Sequence, residues 1–174
     1  MIGILSLQGG FKEHELILDR LGLAWREVRS LPDTEGVTGL IIPGGESTVM
    51  DQFMQKFGLK EWLIERAKDP AFVIFGTCAG LILLARYELL HAEVLRNAYG
   101  RQLDSFTTAV QVQNFTVNAH FIRAPKILSV SGNTEILASH EGVPVLIQEG
   151  NIWGASFHPE LAGDPSLHSA IFSC

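Results

Sequence analysis

The chain has 174 residues, of which 47% are hydrophobic and 18% charged, and its formal net charge is −6. This length and apolar content fit one domain with a full hydrophobic core over residues 1–174, and they exclude a disordered chain. The acidic balance argues against a nucleic-acid partner, because phosphate binding needs a basic surface.

Two cysteines, Cys78 and Cys174, are too few for a disulfide framework in a chain of this length. Their scarcity indicates a reducing, cytoplasmic setting. Residues 1–7 have the pattern of a strand and lack the basic region of a signal peptide. No apolar run reaches the roughly 18 residues that a membrane span needs, so we expect no membrane association.

Short apolar runs alternate with helical patterns through the first half of the chain. The pattern predicts strands at 2–7, 24–28, 39–42 and 71–75, and helices at 11–21, 60–67 and 81–86, with one more through Met50, Phe53 and Phe57. Ser47 or Thr48 is the expected cap of that additional helix. The β-α alternation predicts an α/β fold: a three-layer sandwich with a mostly parallel central sheet.

The second half has a different pattern, in which strand-like runs follow one another with short, turn-rich connections. The runs cover residues 110–117, 121–122, 135–138, 145–148 and 153–157. We interpret them as antiparallel strands added to the parallel sheet, followed by a closing helix at 165–172.

Residues 75–80 read Phe-Gly-Thr-Cys-Ala-Gly and lie between a predicted strand and a predicted helix. Glycines two positions to either side of Cys78 allow the sharp turn of a nucleophile elbow. Cysteine attacks as the thiolate, and the N-terminus of the following helix favours negative charge. The alternative is a buried cysteine that packs as a small hydrophobic residue.

A His-Pro-Glu sequence follows the last predicted strand. In an extended segment residues two apart point to the same side, so Glu160 can orient His158 as the acidic member of a triad does. His158 would then take the thiol proton of Cys78 and return it to the leaving group. The alternative is a surface turn without a catalytic role.

Two backbone amides are candidates for an oxyanion hole. The amide of Ala79 follows the nucleophile directly, and a second could come from Gly45 in the Gly44-Gly45 turn after the preceding strand. Arginine can bind a substrate carboxylate through its planar fork, although surface ion pairs are its commoner use. The other histidines show no metal-ligand spacing, so we expect no metal site; they are His14, His91, His120, His140 and His168.

Taken together, these segments resemble the class I glutamine amidotransferases. More narrowly, they resemble the glutaminase-subunit family of pyridoxal 5′-phosphate synthase, the PdxT family. The segments that carry the resemblance span nearly the whole chain, at residues 7–9, 13–14, 43–48, 75–80, 96–102, 104–106, 121–125 and 156–161. One departure concerns residues 87–95, where this family has a longer segment.

The resemblance implies hydrolysis of L-glutamine to glutamate and ammonia through a cysteine thioester, with Cys78 as nucleophile, His158 as acid and base, and Glu160 as its partner. By motif position the implied glutamine contacts are Gly45, Glu46, Ser47, Arg96, Ile122 and Arg123. The same motif alignment favours Arg96 over Arg101 as the arginine nearer to the ligand. The family has no cofactor, and it delivers ammonia to a (β/α)8-barrel synthase subunit in a large hetero-oligomer that makes pyridoxal phosphate. The glutaminase is poorly active until it docks.

A cysteine hydrolase or peptidase of similar topology is one alternative, but it leaves the Pro-Gly-Gly-Glu-Ser turn at 43–47 unexplained. Two further alternatives stay open. One is the glutaminase subunit of another amidotransferase, such as imidazole glycerol phosphate synthase, which shares the triad. The other is a non-catalytic binding module of the same fold, against which the intact Cys78, His158 and Glu160 argue.

Overall fold

The computed structural model describes residues 1–96 and 105–173. Its strands are β1 (Ile2–Leu5), β2 (Trp25–Val28), β3 (Gly39–Ile42), β4 (Val73–Thr77), β5 (Ala92–Leu95), β6 (Phe106–Val112), β7 (Phe115–Phe121), β8 (Lys126–Val130), β9 (Glu135–His140), β10 (Val143–Glu149) and β11 (Ile152–Ala155). Its α-helices are α1 (Phe11–Leu21), α2 (Ser47–Lys56), α3 (Leu59–Arg66), α4 (Ala79–Arg86) and α5 (Ser166–Phe172), and a 3₁₀ helix covers Leu31–Thr34.

The central sheet has seven strands in the order β2-β1-β3-β4-β11-β10-β9. The first five of these pair in parallel, and β10 and β9 extend the sheet with antiparallel pairs. Every residue of β1 and of β3 is buried, as expected for parallel strands that are covered on both faces. The predicted α/β sandwich with a mostly parallel sheet and antiparallel additions is confirmed.

Hydrophobic side chains form one cluster on each face of the sheet. Leu40 and Ile42 of β3 pack into the cluster that contains α2, α3 and α4. Ile41, which points to the opposite face, packs into the cluster with α1, α5 and the β6–β7 hairpin. Close packing of α4 on β3 requires Gly80, since a Cβ there would lie 2.1 Å from the Ile42 carbonyl oxygen.

Several predicted details were wrong. The run at 110–117 is not one strand, because a turn at Gln113 and Asn114 divides it into the β6–β7 hairpin. This hairpin and the β5–β8 pair form separate two-stranded sheets instead of extending the central one. Strands β5 and β8 were not predicted, since each pairs with a segment distant in the sequence. No helix of the described residues is long and apolar enough to cross a membrane.

Candidate active site

The site lies where four neighbouring parallel strands end. Strands β1, β3, β4 and β11 are adjacent in the sheet, and their carboxyl ends lead into Gln8, Gly44, Cys78 and His158 respectively. Ligands of parallel α/β sheets bind at this edge. The fold therefore brings together segments that are separated by up to 150 residues along the sequence.

Cys78 occupies the sharp turn between β4 and α4. Its backbone has φ 49° and ψ −98°, a conformation that costs L-residues of order 1–3 kcal/mol and is found at functional sites. The Cys78 amide donates to the carbonyl of Ala155 in β11 at 2.8 Å, which ties the turn to the sheet. The geometry is that of a nucleophile elbow.

His158 and Glu160 form a buried pair beside this turn. The His158 Nδ1 and Glu160 Oε1 atoms are 2.6 Å apart, and the backbone of His158 pairs with that of His120 in an antiparallel bridge. The β6–β7 hairpin therefore holds in place the backbone segment that carries His158. A ring held at Nδ1 presents its other nitrogen, Nε2, to a substrate.

The surroundings stabilise an ion pair in these two residues. Burial favours neutral His158, but the charge of Glu160 and hydrogen bonds with Cys78 and Glu160 outweigh it and raise the pKa of His158 well above its ordinary value. Burial also opposes ionised Glu160, yet His14, His158 and the hydrogen bond from His158 lower the pKa of Glu160. The site therefore favours a protonated His158 beside an ionised Glu160, so a proton that His158 takes up is stabilised by the neighbouring carboxylate.

A cavity of about 470 Å³ opens above Cys78. All the predicted triad and substrate-contact residues line it, namely Cys78, His158, Glu160, Gly45, Glu46, Ser47, Arg96, Ile122 and Arg123. Ala79, the other predicted oxyanion donor, is the first residue of α4, where a backbone amide has no acceptor within the helix. Arg101, the alternative to Arg96, lies outside the described residues.

The predicted N-cap of α2 was wrong, and the residue that does cap this helix lines the cavity. Glu46, not Ser47 or Thr48, is the N-cap, and its carboxylate accepts bonds from the amides of Thr48 and Val49. Arg96 Nη2 donates to Glu46 Oε1 at 2.8 Å. The bonds from Val49, Thr48 and Arg96 hold the pKa of Glu46 below its ordinary value, so a carboxylate and a guanidinium face the cavity together.

Sequence patterns assigned no role to Gln8, which also lines the cavity. Its Oε1 accepts the Glu46 amide at 2.8 Å, and thus joins the loop after β1 to the loop after β3. Ser47 Oγ is buried and has no hydrogen-bond partner among the described residues. A buried hydroxyl without a partner at the wall of a cavity is suited to a polar ligand.

Two histidines that the sequence did not single out lie behind Glu160. His14 of α1 and His168 of α5 are fully buried, and His14 Nδ1 is 2.8 Å from His168 Nε2. Burial lowers the pKa of both residues, that of His168 to about 3. Among the described residues, no group of His, Cys, Asp and Glu is arranged to hold a metal ion.

Replacing His168 with asparagine should weaken the dependence of stability on acid pH. The pKa of His168 is about 3 in the folded protein, where burial and His14 lower it and Glu160 and Asp164 oppose them. It is about 6.5 in an unfolded chain. Between these values the unfolded state binds the extra proton, so falling pH destabilises the fold by about 1.4 kcal/mol per unit.

The free energy of unfolding, measured with urea at several values between pH 6 and 4, should fall less steeply in His168→Asn by about that amount. The comparison concerns the slopes, so a constant loss of stability in the variant does not affect it. Equal slopes in the two proteins would contradict the assignment of a neutral, buried His168.

Comparison with known proteins gives the chain close relatives. The SNO glutamine amidotransferase family matches it over residues 4–172. The pyridoxal 5′-phosphate synthase subunit PdxT of Thermosipho africanus is 43% identical over 178 residues, which cover 96% of this chain and 94% of that protein. A crystal structure of a glutamine amidotransferase is 38% identical, with a TM-score of 0.94 and coverage of 99% of this chain and 97% of the other.

A more distant likeness is confined to the fold. The PurLQS structure from Thermotoga maritima aligns with a TM-score of 0.72 at 15% identity and covers 99% of this chain and 96% of its own. At that identity the likeness concerns the fold alone. It shows that the sandwich with its antiparallel additions recurs among proteins whose sequences have diverged widely.

Proposed function

Because the chain belongs to the SNO glutamine amidotransferase family, we propose that it is the glutaminase subunit of a pyridoxal 5′-phosphate synthase. It hydrolyses L-glutamine to L-glutamate and ammonia, and the ammonia serves vitamin B6 biosynthesis by the synthase partner. The observation that carries the chemistry is the 2.6 Å contact between His158 and Glu160 beside the Cys78 elbow. Residues 1–174 act as one amidotransferase domain in this proposal.

The reaction begins when the Cys78 thiol gives its proton to His158 and the resulting thiolate attacks the γ-amide carbon of glutamine. The carbonyl oxygen becomes an oxyanion, for which the amides of Ala79 and Gly45 are the proposed donors. His158 then gives its proton to the amide nitrogen, so ammonia leaves and a γ-glutamyl thioester remains. Water activated by His158 adds to the thioester, and cleavage of the C–S bond releases glutamate and restores the thiol.

The charges around the cavity suit an amino acid. Glutamine carries an α-carboxylate, which Arg96 and Arg123 can bind. It also carries an α-ammonium group, which can donate hydrogen bonds to the Glu46 carboxylate. The bond between Arg96 and Glu46 keeps these opposite charges side by side before glutamine arrives. Ser47 and Ile122 complete the proposed contacts. The Ser47 hydroxyl, which has no hydrogen-bond partner within residues 1–96 and 105–173, is available to glutamine.

The partner is the second part of the proposal. The relative's name describes a subunit of a synthase, so this chain also works with another subunit. We assign that subunit a (β/α)8 barrel within a large hetero-oligomer, and we place the complex in the cytoplasm, where a thiol such as Cys78 stays reduced. No cofactor is assigned to the glutaminase itself.

Glutamine turnover should rise at least about tenfold when a barrel synthase subunit is added, which corresponds to an activation barrier lower by about 1.4 kcal/mol. The assay follows glutamate and ammonia release with and without the partner, with D-glutamine as the control substrate. Equal rates in both conditions would contradict activation by docking. No ammonia under either condition would favour a non-catalytic module, and activation by a different synthase would favour another amidotransferase.

A further inference from the structure

Glu160 lies between two histidines, and the proposed mechanism uses only one of them. His158 Nδ1 is 2.6 Å from Glu160 Oε1, and His14 Nε2 is 3.5 Å from the same oxygen. The other carboxylate oxygen, Oε2, is buried without a hydrogen-bond partner among the described residues. Apart from a hydrogen bond with the backbone of Glu160 itself, the neighbours that can orient this carboxylate are the two rings beside Oε1.

The proton positions on His14 and His168 follow from their contacts. Burial keeps both rings neutral, so each carries one N–H. A single hydrogen lies between His14 Nδ1 and His168 Nε2, which are 2.8 Å apart. The pair can therefore be arranged in two ways, according to which ring donates.

If His168 Nε2 donates, His14 carries its hydrogen on Nε2. That N–H then faces Glu160 Oε1 at 3.5 Å and Thr77 Oγ1 at 3.4 Å, both of which can accept it. His168 Nδ1, which is buried without a partner among the described residues, is then an unprotonated lone pair. An unprotonated nitrogen leaves no N–H donor unsatisfied at that site.

The opposite arrangement carries two penalties. His14 Nε2 would direct a lone pair toward the Glu160 carboxylate, which repels it. His168 would carry its hydrogen on Nδ1, and a buried N–H without an acceptor costs about 1–3 kcal/mol. The Thr77 hydroxyl could donate to His14 Nε2 in that arrangement, but this bond removes neither penalty.

We propose that His14 is a positioning residue for the glutaminase reaction, in which its Nε2–H is shared by Glu160 Oε1 and Thr77 Oγ1 and fixes the carboxylate that orients His158. His168 sets the tautomer of His14 by donating from Nε2. The positioning role of His14 rests on the function proposed above. The assignment of the His14 tautomer rests only on the contacts of the two rings and does not depend on that function.

The rings are held firmly enough for such a role. Phe75 of β4 packs edge-on against both of them, at centroid distances of 6.4 Å to His14 and 5.4 Å to His168. His14 belongs to α1, which follows the Gln8 loop, and His168 belongs to α5. Two helices from opposite ends of the chain thus support the back of the triad.

Variants of His14 test its role in the presence of the synthase subunit. His14→Leu removes the donor and should lower kcat by about 10²-fold with little change in KM. The acid limb of its kcat profile should move to higher pH, because Glu160 loses a group that favours its charged form. His14→Gln places an amide N–H near the position of Nε2, and should restore both kcat and the acid limb.

A merely structural His14 would lower the stability of both variants and leave the acid limb in place. Wild-type kcat and an unmoved acid limb in His14→Leu would therefore overturn the proposal, as would failure of His14→Gln to recover either quantity. Thermal unfolding of each variant, measured in parallel, separates loss of the fold from loss of positioning.

The wild-type protein provides a test that needs no substitution. Imidazole ¹⁵N chemical shifts should show hydrogen on Nε2 of both His14 and His168 at neutral pH, and hydrogen on Nδ1 of His14 would overturn the inference. This measurement needs no turnover, so the two proposals fail separately. Absence of glutamine hydrolysis by the wild-type complex would overturn the proposed function, whereas normal hydrolysis with the wrong tautomer would overturn only this inference.

Discussion

Replacing Cys78 with alanine should lower kcat for glutamine hydrolysis by at least about 10⁴-fold, because no other group can form the thioester. The substitution removes one sulfur atom and keeps the Cβ, so the packing around the buried Cys78 side chain changes little. The elbow is also kept, since alanine must adopt the same φ of 49°. We therefore expect an intact fold and unchanged binding to the synthase subunit.

The measurement is ammonia release by the complex, together with glutamine affinity from calorimetry and thermal unfolding of the free subunit. Cys174→Ala, which removes the other cysteine of the chain, is the matched control and should keep wild-type turnover. Retained ammonia release by Cys78→Ala would disprove the assignment of the nucleophile. Loss of turnover with loss of synthase binding would mean instead that the turn supports docking.

The segments of the candidate triad were predictable because each follows a recognisable strand. Buried runs such as 39–42 and 71–75 indicate parallel strands, and ligand-binding residues of parallel sheets follow their carboxyl ends. The spacing of His158 and Glu160 likewise predicted neighbouring side chains, which the 2.6 Å contact agrees with. Local spacing and strand order thus predict that the candidate triad residues lie at one edge of the sheet.

Other features depend on contacts that no local pattern contains. The cap of α2 was assigned to Ser47 or Thr48 by residue preference, but a Glu46 carboxylate can bond two amides at once. The separate β5–β8 and β6–β7 sheets reflect pairing choices between distant segments. Local propensity ranks residues for a position, whereas tertiary contacts decide between them.

His14 and His168 show the limit most clearly. They are separated by 154 positions in the sequence and meet only because α1 and α5 pack on the same face of the sheet. As isolated histidines in helical segments they show no pattern that assigns them a role, although His14 lies in one of the segments that carry the family resemblance. Only the contact of His14 with Glu160 indicates a connection with the candidate triad.

Replacing Gly44 with alanine should lower kcat by about 10²–10³-fold, because the new methyl group would displace the ring of His158. A Cβ on Gly44 would lie 2.2 Å from His158 Cε1, 3.0 Å from Nδ1 and 3.2 Å from Nε2. The ring cannot move aside freely, since Glu160 holds Nδ1 and His120 holds the backbone. The crowding should also cost about 1–3 kcal/mol of stability.

Gly142→Ala separates these two effects. Gly142 lies in the turn between β9 and β10 with φ 77°, and a Cβ there would meet no atom within 4 Å. Alanine is therefore strained at that position, and it should lower stability by about 1 kcal/mol without approaching the cavity. The two variants are compared at a temperature below both of their melting transitions. If Gly142→Ala then has the wild-type kcat and Gly44→Ala has a lower one, the loss arises from the displaced imidazole. Wild-type kcat in Gly44→Ala would mean that His158 can move without disturbing proton transfer, and the positional requirement derived from Glu160 would be wrong.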